Sequence, residues 1–151
     1  MTLTFTVHGT PAPKGSFKIR RGRITNDNER TKPWQELVQW AALDAMVPHR
    51  HLFPLRGPLA FTIVFTLPRP KSLPKRVLWP TAKRDLDKLL RAVFDALTAA
   101  GVIQDDGQIV VVRASKVYPN ANQGAANSGF GVVPLDSPGA VIEVRQIIWT
   151  F

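Results

Sequence analysis

Cysteine is absent from the 151-residue sequence. That removes disulfides and thiolate metal sites, fits a reducing compartment, and leaves oxygen and imidazole as the metal ligands to expect. Long apolar runs are absent as well: no stretch reaches the roughly 18 residues a membrane-spanning helix needs. The opening MTLTFTVHGT lacks the charged start and apolar core of a secretion signal. A soluble, cytoplasmic protein is expected. No glycine-rich phosphate loop or nucleophile elbow occurs. The three histidines, His8, His49 and His51, share no spacing with the acids, which argues against zinc. Acidic residues are scarce, 11 Asp and Glu against 20 Lys and Arg.

That imbalance, a net charge of +9 and a pI near 10.7, exceeds what a small domain needs for solubility and favours a polyanionic partner, with nucleic acid first. The basic residues are clustered. Seven lie between Lys14 and Lys32, and eight between Arg69 and Arg91. The positions expected to meet phosphates are Lys14, Lys18, Arg20, Arg21, Arg23, Lys75, Arg76, Lys83, Arg84 and Lys88. Neither cluster lies on an amphipathic helix with an aromatic face, so an anionic membrane is the weaker candidate.

Length and a 44% hydrophobic content suit one domain spanning residues 1–151. Residues 2–8 alternate as a half-buried strand, and 14–30 read as an exposed loop or short ribbon. Trp34, Leu37, Val38, Ala41 and Ala45 repeat at helical spacing behind Pro33, with Pro48 as the stop. PLAFTIVFTL at 58–67 is a buried strand, and the Pro-rich basic stretch 68–84 is a loop. Leu86, Leu89, Leu90, Val93, Phe94 and Leu97 predict a second helix, ended by Gly101 in the left-handed conformation. Residues 108–117 and 140–150 read as strands, with 118–139 between them as a mobile surface excursion. The order strand, helix, strand, helix, strand, strand predicts an α+β fold with helices packed on a mixed or antiparallel sheet.

Five of the eleven acids stand in and around RDLDKLLRAVFDALTAAGVIQDDGQIV, at Asp85, Asp87, Asp95, Asp105 and Asp106. On a continuous helix, side chains two apart diverge by about 200°. Asp85 and Asp87 therefore converge only where a helix begins, with Asp85 at the N-cap and Asp87 in the first turn. Asp-x-Asp at a helix start and Asp-Asp-Gly in a turn are each more often structural than chemical. Their joint occurrence in a basic chain changes the balance. Carboxylates repel phosphate unless a divalent cation intervenes, and an oxygen-only set suits Mg²⁺ or Mn²⁺. Arg91, one turn after Asp87, is a candidate phosphate-oxygen partner, or else the i,i+4 ion-pair mate of Asp87. Asp95 continues that row as a helix-packing polar group. A straight helix would leave Asp106 roughly 20 Å from Asp85, so they meet only if the returning strand or another subunit brings them together.

The same segment, with Asp-x-Asp opening a helix, Asp-Ala-Leu within it, Gly at its end and Asp-Asp before a strand, resembles the signature of the RusA-like Holliday-junction resolvases. These are small endonucleases found mainly in phages and prophages. The matched core covers residues 83–117. The resemblance implies that Asp85, Asp87 and Asp106 are the Mg²⁺-associated catalytic acids with Asp105 beside them, and that Arg91 stands where the family usually carries Lys. It implies that the fold returns Asp106 to Asp85 and Asp87. It further implies a homodimer, with no small-molecule cofactor, that nicks two strands of branched DNA symmetrically. A two-fold dimer suits the near two-fold symmetry of a four-way junction, with core burial the first role for the Leu-rich second helix and part of it available as a contact. A nucleic-acid-binding protein without catalysis, or a nuclease for another branched DNA or RNA, are the alternatives.

Overall fold

The structure is a computed structural model that describes residues 1–15, 17–26, 29–119 and 130–148; within 17–26 only the side chains of 21–23 are described. The chain runs β1 (Thr2–His8), β2 (Phe17–Arg20), β3 (Arg23–Asn26), α1 (Thr31–Met46), β4 (Leu59–Thr66), α2 (Leu86–Ala100), β5 (Ile109–Val117) and β6 (Gly139–Gln146). It is an α+β fold. The main sheet has the order β1-β6-β4-β5; β4 and β5 are parallel and the other pairs antiparallel, while β2 and β3 form a separate hairpin.

Alternation in β1 turns Leu3, Phe5 and Val7 to one face, where Phe61, Ile63, Phe65, Ile142 and Val144 join them. Both helices pack there. α2 inserts Leu89, Val93 and Leu97, each fully buried, at about 1.5–3 kcal/mol of transfer free energy per side chain. Its Phe94 ring meets Phe61 edge-on at 5.3 Å. The α2 stripe is thus core, and Leu86, Leu90 and Phe94 pack against that core too. α1 buries Trp34, Val38, Ala42 and Met46 but leaves Trp40 74% exposed and Leu37 and Leu43 largely outside. Its buried stripe is therefore rotated from the one read off the sequence, because the sheet covers only one side of the helix. Pro48 does not stop the helical winding, since a 3₁₀ segment continues from Val47 to Leu52, a position near a helix start where proline's missing N–H costs nothing.

On the opposite face Val117 and Val132 are buried beside Val64 and Trp79, and Trp79 meets Phe130 edge-on at 6.5 Å. Of the expected excursion at 118–139, residues 120–129 lie outside the described residues. Its flanks are anchored: Tyr118 and Pro134 are buried, and the Leu135 N–H donates to Thr66 Oγ1 at 3.0 Å.

The parallel β4–β5 pairing positions the acids. Leu59 lies opposite Ile109 and Thr66 opposite Val117, so α2 must carry the chain back along the sheet between them. α2 starts at the C-terminal ends of both strands and finishes at their N-terminal ends.

Candidate active site

The Pro-rich segment before α2 is held in a defined shape by Arg69. Its guanidinium donates to the carbonyls of Val77 and Pro74, both at 2.7 Å, and lies 5.0 Å from the Tyr118 ring centre. The chain then reverses through Lys83 (φ 37°) and Arg84 (φ 61°), conformations that non-glycine residues adopt at a cost and that cluster at functional sites. Lys116 Nζ donates to the Arg84 carbonyl at 3.2 Å, tying this reversal to the end of β5.

Asp85 follows with extended backbone at the N-cap, and Asp87 falls in the first turn, as the spacing argument requires. Both are exposed. The Asp85 carboxylate makes no capping hydrogen bond; its ion-pair neighbour is Lys88 at 3.5 Å, a contact worth little at the surface. Asp87 and Arg91 form no ion pair among the described residues, and Arg91 is exposed. Beside this helix start lies a cleft of about 550 Å³ lined by Pro13, Arg30, Lys83, Arg84 and Tyr118 among others. Partial burial, and then the nearby Arg30, lower the Arg84 guanidinium below its ordinary pKa; Tyr118 opposes the shift. Two cations held this close repel each other, and an anion in the cleft would relieve that repulsion.

The other expected basic positions divide. Lys14 is tied to α2: its Nζ pairs with Asp95, and its backbone N–H donates to the Lys88 carbonyl at 3.0 Å. Asp95 therefore holds the 11–14 segment in place, with Thr31 Oγ1 donating to the Pro13 carbonyl at 2.6 Å. Arg21, Arg23, Lys75 and Arg76 are exposed. The side chains of Lys18 and Arg20 lie outside the described ones. Arg30 is the contribution the sequence reading missed: it counts as one more charge of the N-terminal cluster, and only the packing of the 11–13 and 80–84 segments brings it to Arg84.

Asp105 and Asp106 are elsewhere. Asp105 caps the short 3₁₀ turn Asp106–Gln108, its Oδ1 accepting from the Gly107 N–H at 2.6 Å. Gln108 completes a reciprocal cap: its Oε1 accepts from the N–H groups of Gln104 and Asp105, and its Nε2 donates to the carbonyls of Leu55 and Gly57. The spacing of Gln108 three after Asp105 is the capping-box pattern, a signal present in the sequence. These bonds fix the turn at the N-terminal end of β4. Asp106 stands there exposed, at the far end of α2 from Asp85. Fifteen residues at about 1.5 Å each put roughly 22 Å between the two acidic pairs. Among the described residues no three His, Asp or Glu side chains gather to hold a metal. Within one chain the fold does not return Asp106 to Asp85 and Asp87, because a parallel crossover leaves the start of the second strand at the opposite end from the start of the helix.

The model of a protein family described as endodeoxyribonuclease RusA matches residues 8–124. The chain belongs to the RusA family. An uncharacterized protein, YqaN, of Bacillus subtilis (strain 168) is 31% identical over 131 residues, covering 77% of this chain and 87% of the relative. The RusA match begins at the last residue of β1 and runs past the end of β5, taking in both acidic pairs, the basic hairpin and the cleft. RusA membership makes the chain a member of a nuclease family, and no helix among the described residues is long and apolar enough to cross a membrane.

Proposed function

We propose that this chain is a divalent-metal-dependent endonuclease that resolves four-way DNA junctions by paired, symmetric phosphodiester hydrolysis, acting as a homodimer in DNA recombination and repair. The observation that carries the reading is the placement of Asp85 and Asp87, exposed and uncommitted to capping, beside the Arg30, Lys83 and Arg84 cleft in a chain of the RusA family.

Two carboxylates with open coordination fit Mg²⁺, or Mn²⁺ in its place, since that ion keeps several waters and is commonly held by one or two protein carboxylates together with substrate phosphate. Asp85 and Asp87 would hold it, and Asp106 is the third acid assigned to the reaction. When bound, the ion supplies an activated water and offsets charge on the phosphate. The chain's own groups do the rest. Arg30, Lys83 and Arg84 grip a backbone phosphate and set the register of the strand. The free N–H groups at the start of α2 favour negative charge there. Arg91, exposed one turn beyond Asp87, supplies a cation to a neighbouring phosphate oxygen. Asp105, committed to the Gly107 N–H, shapes the turn that presents Asp106. Selectivity for a branch comes from backbone charge and shape rather than base contacts.

The test uses a labelled four-way junction and a matching linear duplex, each with Mg²⁺ or with EDTA. Paired nicks in the junction alone, dependent on Mg²⁺ and abolished in Asp87→Asn while junction binding persists, are expected. Junction binding without cutting, or Asp87→Asn cutting like the wild type, would leave a binding protein whose acids are structural.

A further inference from the structure

The main sheet has two unlike faces. Phe61, Ile63 and Phe65 of β4 point into the helix-covered core, so alternation turns Thr62 and Val64 the other way. The parallel register sets Thr62 beside Arg113 and Val64 beside Ser115 of β5. Trp79, from the segment that leads to Asp85, and Phe130 and Val132, from the stretch before β6, stand with these four residues around a cavity of about 460 Å³. Val64, Val132 and Trp79 make its apolar part. Thr62 and Ser115 bring hydroxyls, and Arg113, exposed and without an ion-pair partner among the described residues, brings a cation. The Trp79 and Phe130 rings stand at 85° to each other, and Phe130 stays 72% exposed. An aromatic ring left this open beside a cavity gains by stacking against a planar guest.

We infer that this cavity takes an unpaired nucleobase of the DNA strand, stacked on one of the two rings with its edge toward the other, while Arg113 holds an adjoining phosphate. The inference rests on the nuclease reading above for its partner, and it adds a second contact surface on the face of the sheet away from α1 and α2. Charge, size and chemistry agree. A net charge of +9 draws a polyanion rather than a neutral apolar ligand, and aromatic rings beside an unpaired cation are the means by which single strands are held. The volume is that of a small-molecule site. Hydroxyls both donate and accept, so Thr62 and Ser115 suit the edge of any base. Position agrees as well. Trp79 precedes Asp85 by six residues, which bounds their separation at roughly 20 Å. Lys116 lines the cavity and donates to the Arg84 carbonyl, next to Asp85. One strand can therefore meet both places, and taking a base out of the stack costs least where pairing is interrupted, as at a branch point.

The test is a two-by-two comparison read without cutting. Fluorescence anisotropy in EDTA measures the binding of a labelled oligothymidylate, and of an abasic strand of the same length, to the wild type and to Phe130→Ala. The variant should bind the oligothymidylate about 5-fold more weakly or worse, the low end for one base–aromatic stack, and bind the abasic strand unchanged. Phe130→Trp should restore the preference for bases. Arg113→Gln should weaken both strands alike and lower the slope of log affinity against log salt by about 0.7; an unchanged slope overturns the phosphate contact. If Phe130→Ala binds both strands as the wild type does, the inference is overturned and the cavity is left to an apolar side chain of a protein partner. An equal loss on both strands, with a lower melting temperature, also overturns it and makes Phe130 a support for the fold. Junction cutting is scored separately. A wild type that cuts while Phe130→Ala shows no base-dependent loss keeps the nuclease and loses the pocket; one that cuts nothing but shows that loss keeps the pocket and loses the nuclease.

Discussion

Replacing Arg84 with Asn should separate stability from DNA binding and move them in opposite directions. In the folded chain the Arg84 charge is disfavoured, first by burial and then by Arg30, so folding carries a penalty that an uncharged residue does not. Asn also tolerates the left-handed conformation at φ 61° better than Arg. The hydrogen bond from Lys116 reaches the backbone carbonyl and survives the change. The melting temperature of Arg84→Asn is therefore expected to equal or exceed that of the wild type. On DNA the same change removes one phosphate contact, which lowers the slope of log affinity against log salt by about 0.9. Over a fourfold rise in salt, the wild type should then lose about 3.5-fold more affinity than the variant. Fluorescence anisotropy on a labelled junction, in EDTA to prevent cutting and across a salt series, measures the slope, and scanning calorimetry measures the melting point. A melting point several degrees lower would make Arg84 a structural residue. An unchanged salt slope would remove the cleft from the DNA interface.

Other expectations concern the turn that presents Asp106 and the close packing of the sheet. Gln108→Ala removes the acceptor for two N–H groups and the donor to the Leu55 and Gly57 carbonyls; at about 0.5–1.5 kcal/mol per bond it should cost about 2 kcal/mol in urea unfolding. Hydrogen exchange should quicken at 104–108 and stay unchanged at the start of α2, and uniform quickening would contradict a local role. Gly139→Ala places a Cβ 2.2 Å from the Val7 carbonyl oxygen. The β1–β6 pairing must then shift, at a cost of about 3 kcal/mol, which should lower the melting point by roughly 6–12 °C; a drop under 2 °C would mean the strand pair yields more easily than its packing indicates.

Much of this arrangement was legible because its causes are local. The leucine and valine spacing of α2, the left-handed Gly101 (φ 78°) and the alternation in β1 depend on residues within a turn or two of each other. So does the convergence of Asp85 and Asp87, which needs only that a helix begin between them. The α1 face was read one step away from its buried side, because Leu37 has helical spacing but meets solvent where the sheet ends. Spacing reports which residues share a face, not how much of that face a neighbour covers.

The sequence by itself determined the elements, the basic clusters, the acid pair at a helix start and the family signature, since each is written in short-range spacing and composition. Only the tertiary structure decided where those pieces stand. Hydrogen bonding of β5 parallel to β4 set Asp106 at the far end of α2, the folding of residues 11–13 against 80–84 brought Arg30 to Arg84, and the place of β5 at the end of the sheet among the described residues left Val110 to Val112 open to solvent. These are pairings between segments distant in sequence, chosen by the joint burial of the whole core, and no window of the chain contains the terms that decide them.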